Sequence, residues 1–253
     1  MYLVKIISPL NQLVLKQILS LTSLTFQFSR LLFNNFCSLL GYYAAAKVID
    51  RESVGRVRLQ MFSFFMCAAL FFITSIIFDS AQSGVIMFLF FASSFFGNFG
   101  ANVTTYVMAA ETYPTELRST CHGISAFAGK TGALLATIAF GFLDTKKIFA
   151  VTASTCLMGL LFTWVFSCDL THVSLAEHDA QLELFLEDRA EKYQGLLNKK
   201  EHLTNYERWT GRHGEYDEFW AKKLVAEERA KYKSKSFYLM QEISDIEDHT
   251  IRS

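Results

Sequence analysis

The sequence predicts an all-α membrane protein in which about five spanning helices are followed by a charged, helical tail. Three observations carry this. Of 253 residues, 51% are hydrophobic, with 25 Phe against 2 Pro, an apolar bias foreign to an average soluble domain. The apolar residues gather into runs near the roughly 20 residues that a helix needs to cross the hydrocarbon core. Charge is segregated: up to Cys168 the acidic residues are only Asp50, Glu52, Asp79, Glu111, Glu116 and Asp144, and the rest of the 24 lie beyond. The formal net charge of zero points to no nucleic-acid partner.

Residues 1–30 form a poorly defined first segment, in which 1–26 supply a sixth and weaker run without a small-residue cleavage site, so no signal peptide is read there. Residues 31–168 form the membrane region, with spans at 31–49, 60–78, 84–110, 121–143 and 148–167. The basic residues Lys47, Arg51, Arg56, Arg58 and Arg118 flank the links after the first and third spans. The excess of Lys and Arg on cytoplasmic loops places those links, and with them the tail, in the cytoplasm. Lys146 and Lys147 fall on the opposite side, against that rule. Residues 169–253 form the tail. Leu175, Leu182, Leu184 and Leu186 recur among Glu177, Asp179, Glu183, Glu187 and Asp188 at the spacing of an amphipathic helix. A second helical stretch is expected from about 217 to 233, after a turn at 211–214, and the last twenty residues are expected to fray.

Two apparent motifs dissolve on inspection. Gly129-Lys130-Thr131 resembles the end of a phosphate-cradling loop, but Ile124 stands where the first glycine is required and the surroundings are an apolar helix. His172 and His178 lie six residues apart, roughly 120° around a helix, with no carboxylate at a metal-ligand spacing, and read as surface residues. The five cysteines form no CxxC pair and read as small core hydrophobes. No metal, cofactor or enzymatic role is expected.

Polar groups inside a span are costly and are functional suspects for that reason. Asn98, Asn102 and Thr105 share one face of the third span, where the amides either donate to a bound oxyanion or tie neighbouring helices together around Gly97 and Gly100. Lys130 lies about 15 Å into its span, too deep to reach water easily. Its ammonium either faces a cavity and an anion or is structural. At the rim, Asp50, Arg51, Arg56, Glu111 and Arg118 follow the ends of two spans, and form either a charge network that gates helix rocking or a solvated edge.

One ordered stretch connects these suspects: Asn98-Phe99-Gly100-Ala101-Asn102-Val103-Thr104-Thr105-Tyr106, then Glu111-Thr112-Tyr113-Pro114, Arg118-Ser119-Thr120-Cys121-His122-Gly123-Ile124-Ser125-Ala126 and Gly129-Lys130-Thr131-Gly132-Ala133. It resembles the phosphate:proton symporters of the major facilitator superfamily, with weaker similarity from about residue 41 to 175. The resemblance implies a partial bundle of that superfamily, the five spans being similar to its helices eight to twelve. It implies inorganic phosphate and protons as the transported species and a lipid bilayer, most naturally the plasma membrane, as the setting. The family's phosphate-contacting asparagine matches Asn102 and its lysine matches Lys130, while Asn98 and Thr105 lie on the substrate path. The sequence departs from the family at Ala101, where Pro is usual, at Leu40-Gly41-Tyr42, where Pro-Gly-Tyr is usual, and at the stretched rim motif Asp50-Arg51-Glu52-Ser53-Val54-Gly55-Arg56. The family's proton-coupling carboxylates belong to regions before Met1, so the expectation is a C-terminal half, inactive alone and completed by a missing or separate N-terminal half. The alternatives are a non-transporting half that binds or regulates a partner transporter, and a truncated gene product.

Overall fold

A computed structural model describes residues 24–230 apart from 52, 172, 212, 213, 225, 228 and 229. The described residues are helical or irregular, with no strand. The helices are α1 (Leu24–Val48), α2 (Gly55–Ile77), α3 (Ser83–Phe99), α4 (Ala101–Thr112), α5 (Arg118–Phe140), α6 (Thr145–Phe166), α7 (Leu175–Leu186) and the short α8 (Asn205–Thr210), with 3-10 turns at Ala190–Lys192 and Leu196–Asn198. The expected sixth run at 1–26 lies almost wholly outside the described residues, as does His172. Of the expected second tail helix, 218–224 is helical, and most of its remainder, like the last twenty residues, lies outside them.

Among the described residues, four stretches are long and apolar enough to cross a membrane: Gly55–Ile77, Ser83–Thr112, Arg118–Phe140 and Thr145–Phe166. The expected first span forms as α1, which has the length, but Arg30, Asn34, Asn35 and Lys47 dilute its apolar character. A helix suits these runs because no water in the hydrocarbon core can satisfy the backbone, so each N–H and C=O must be paired within the segment.

The chain divides into two compact units. One comprises the residues up to 172 together with Thr204–Gly211, the other 173–203 and the residues from 212 onward. In the first, α2 is the hub, packed on α6, α3 and α4, while α1 lies along α3. Cys67, Ala68 and Phe71 of α2 meet Phe90 of α3, Phe140 of α5 and Ile148, Phe149, Ala153 and Cys156 of α6 in one apolar cluster. Gly41 lets α1 approach α3 closely, since a Cβ there would stand 2.5 Å from the Phe95 carbonyl oxygen. Phe88, Phe127, Leu157, Phe162 and many other large apolar side chains stay exposed, as expected where lipid rather than water surrounds the helices.

The second unit is organised by a buried carboxylate. Glu177 of α7 accepts hydrogen bonds from the Tyr193 hydroxyl at 2.5 Å and the Leu196 N–H at 3.1 Å. Burial, and then the Glu177 carboxylate, push the Tyr193 hydroxyl pKa well above its ordinary value. The amphipathic reading of this helix needs correction: Glu177 and His178 are its buried residues, while Leu175 and Leu186 are exposed. His178 is therefore not a surface histidine. The reason lies in the hydrogen bonds, because a carboxylate that finds a hydroxyl and a backbone donor tolerates burial.

Candidate functional site

The long third span expected at 84–110 is broken at Gly100, which ends α3 and begins α4 with φ −132° and ψ −78°. The break frees the Ala101 N–H from its helical partner four residues back, and Ser63 of α2 repairs it. The Ser63 hydroxyl accepts from the Ala101 N–H at 2.8 Å and donates to the Phe96 carbonyl at 2.6 Å. One turn along, the Gln60 side chain accepts from the Thr104 hydroxyl at 2.9 Å and donates to the Thr163 hydroxyl at 3.1 Å. All of these side chains are buried. Sequence reasoning missed Gln60, Ser63, Thr104 and Thr163, although their polarity within apolar runs was the available signal.

Beside the break, Asn102 donates through Nδ2 to the Tyr42 hydroxyl of α1 and to Asn98 Oδ1 at 2.8 Å. Asn98 in turn donates to the Ser94 carbonyl at 2.7 Å. Asn98 and Asn102, expected on one helical face as donors to an oxyanion or as ties to neighbouring helices, stand on either side of the Gly100 break and are joined to each other by this direct hydrogen bond. Thr105 is buried and donates back to the Asn102 carbonyl at 3.1 Å. Tyr42 is a further polar member of the cluster that sequence reasoning did not select. By accepting from Asn102 it keeps its own O–H proton for another acceptor.

Lys130 stands near the middle of α5, exposed and without an ion pair among the described residues. Of α5 only Gly129 and Phe140 are buried. Helices α4 and α5 touch through the rings of Tyr106 and His122, 6.4 Å apart, and through the Tyr113 and Ser125 hydroxyls at 3.1 Å. Counted from the Tyr106–His122 contact, Asn102 lies about 6 Å up α4 and Lys130 about 12 Å up α5. The described contacts do not join Lys130 to the asparagines.

The rim residues divide. Arg56, only 7% exposed, grips Glu111 of α4 with two bonds, Nε to Oε2 at 3.1 Å and an η nitrogen to Oε1 at 2.9 Å. It also donates to Asp50 at 3.0 Å and to the Ile49 carbonyl at 3.2 Å. The stretched loop before it turns through Gly55, whose φ of +63° favours glycine and whose missing Cβ leaves room for the Asp169 carboxylate. Arg118 does not join this cluster; its guanidinium folds onto the Tyr113 carbonyl at 3.3 Å. Arg51 contributes its backbone, its carbonyl accepting from the Val54 and Gly55 N–H groups. At the opposite end Lys146 pairs with Asp79, and Lys147 with Asp144 at 2.9 Å. The two lysines that break the charge rule are therefore matched by two carboxylates.

Comparison with known proteins fits this all-helical bundle. Residues 36–182, more than half the chain, match the family described as Sugar (and other) transporter. The chain belongs to that family. Its described helices form a partial bundle of the major facilitator type. Among its relatives are a probable inorganic phosphate transporter 1-9 of Arabidopsis thaliana, 34% identical over 58% of this chain and 31% of the relative. An inorganic phosphate transporter 1-11 of Oryza sativa subsp. japonica is 36% identical over 49% and 24%. A low affinity inorganic phosphate transporter 1 of Petunia hybrida is 43% identical over 42% and 21%. The chain spans no more than about a third of the length of these curated relatives.

Proposed function

We propose that this chain is the C-terminal half of an inorganic phosphate transporter working by proton symport, and that it transports only when joined to an N-terminal half. The observation that carries the reading is Lys130, an exposed cation at the middle of a spanning helix with no ion pair among the described residues. A charge at that depth needs an anion or a water-filled cavity, and the relatives' names supply phosphate as the anion. Asn102 holds Tyr42 so that its O–H points a donor at the phosphate, while Lys130 supplies charge; charge-assisted hydrogen bonds are about twice as strong as neutral ones. Asn98 fixes the Asn102 amide, and Thr105 lines the approach. The four spans contain one carboxylate, Glu111, and Arg56 occupies it, so proton coupling draws on carboxylates of the other half. Asp50, Arg56 and Glu111 act as the gate, with Arg51 and Arg118 shaping the loops beside it.

The arginine-rich rim and the tail face the cytoplasm, most naturally at the plasma membrane; Lys47, Arg51, Arg56, Arg58 and Arg118 outnumber Lys146 and Lys147, and it is the Lys and Arg count that orients the spans. The test is radiolabelled phosphate uptake by cells co-expressing this chain with an N-terminal six-helix half. Uptake in the pair is expected, and Lys130→Ala is expected to lower it at least about tenfold at equal surface level, as the loss of one charge-assisted contact implies. Unaltered uptake in Lys130→Ala refutes the site. A pair that assembles without uptake favours the regulatory half, the reading to which the nearly bare α5 also lends itself.

A further inference from the structure

The segment Thr204–Gly211 belongs to the membrane unit although some forty residues separate it from α6. Asn205 Nδ2 donates to the Trp164 carbonyl at 2.7 Å, one of the carbonyls that the last turn of a helix leaves without an internal partner. Rings complete the attachment: Trp209 meets Trp164 edge-on at 5.4 Å, and Tyr206 meets Phe166 at 5.7 Å. Although only six residues long, α8 is closed at both ends. Thr204 and Glu207 form a reciprocal capping box, and Gly211 turns left-handed at the C-terminus. The capping box occupies Glu207, the only carboxylate of the segment.

These rings are not buried by their own packing. Trp209 remains 62% exposed, and Tyr206, Trp164, Phe166 and Phe162 are also exposed. Phe162 stacks on Phe166 at 5.9 Å, so an unbroken aromatic row runs from the lipid-facing flank of α6, where Leu157, Met158 and Leu161 are exposed, past the end of the span onto α8. Water is a poor solvent for such a row. The headgroup layer suits it, since Trp and Tyr pair an apolar body with a polar edge and concentrate at that depth.

We infer that α8 is an interfacial anchor: Tyr206 and Trp209, held by Asn205 to the end of α6, insert into the headgroup layer and fasten the start of the tail to the bilayer surface. The inference rests on α6 spanning the membrane and is independent of phosphate.

The test places the full chain in phosphatidylcholine vesicles and reads tryptophan quenching by lipids brominated either high on the acyl chains or near their ends. A variant with Trp164→Phe and Trp220→Phe leaves Trp209 as sole emitter, and one with Trp209→Phe and Trp220→Phe leaves Trp164. The expected result is quenching of Trp209 at least about twofold stronger by the shallow bromines than by the deep ones, and halved or more by Asn205→Ala. Quenching of Trp164 without Trp209 overturns the anchor and leaves the membrane reading of α6 intact, as does Trp209 quenched mainly by the deep bromines. If neither emitter is quenched, the membrane reading fails and the anchor with it.

Discussion

Arg56 spans three residues with one guanidinium: Glu111 through both carboxylate oxygens, Asp50 and, through its remaining η nitrogen, the Ile49 carbonyl. The planar fork explains why arginine stands here, since a lysine ammonium cannot grip a carboxylate with two parallel bonds. Removing it leaves Glu111, largely buried, without its cation. Arg56→Ala is therefore expected to lower stability by about 2 kcal/mol, less than for a fully buried pair because Asp50 is solvated; Arg56→Lys should recover only part of this in thermal melts of the purified protein. A second residue lends itself to titration. Burial, followed by the charges of Glu207 and Asp169, pushes the Cys168 thiol from 9.0 to about 11. The reactive thiolate is scarce below that pH, so in a variant retaining Cys168 alone, maleimide labelling at pH 8 should be about a hundredfold slower in the folded than in the unfolded protein. Because folding raises this pKa, the contribution is stabilising below pH 9 and is lost as pH rises through about 11, as linkage requires. Equal labelling rates in the two states contradict the burial.

The break between α3 and α4 shows how one element is bent without an unsatisfied backbone. Where the family usually has proline, which lacks an N–H, this chain has Ala101, and its N–H is answered by Ser63. The bend is made here without a proline, one of the usual causes of a kink. Gly100 is needed at the same point, because a Cβ there would lie 2.4 Å from Ser63 Cβ and 2.5 Å from the Leu59 carbonyl oxygen. Gly100→Ala is expected to cost about 2–3 kcal/mol by overpacking, and Ser63→Ala about 1–3 kcal/mol by stranding buried backbone groups. Combining the two should not restore stability, since the Leu59 carbonyl remains in the way. A double variant that melts at the wild-type temperature would show that the approach of α2 to the break is not as tight as described.

At the scale of the molecule, α2, α3, α4 and α6 are cross-tied by buried polar side chains, whereas α5 carries Lys130 on a helix with two buried residues. On the proposed function, access alternates by moving one bundle against another around a midplane site, with these helices as one of the two. The chain alone is expected to give no phosphate uptake in liposomes, with uptake appearing when an N-terminal half is co-reconstituted. Uptake by the chain alone would overturn the half-transporter proposal.

Four of the five expected spans, and their order, were legible in hydropathy, because a span must be long, apolar and internally hydrogen-bonded whatever surrounds it, whereas the first is a helix too rich in polar residues to count among them. The nearness of Asn98 and Asn102 was legible from their spacing of four, but the break at Gly100 that puts them on two helices was not. Local spacing was silent about everything that depends on a second helix. It gave no sign that Ser63 fills the Gly100 break, that Tyr42 accepts from Asn102, that Arg118 turns away from the rim while Arg56 enters it, or that Glu177 rather than the leucines is buried in the tail. By itself the sequence determined an all-helical membrane chain with amides within its third span and a lysine within its fourth, since chain length and apolarity are properties of each segment alone. Only the tertiary structure decided which polar groups are satisfied and which remain open to a ligand, because a hydrogen bond across helices depends on distances that no single segment encodes.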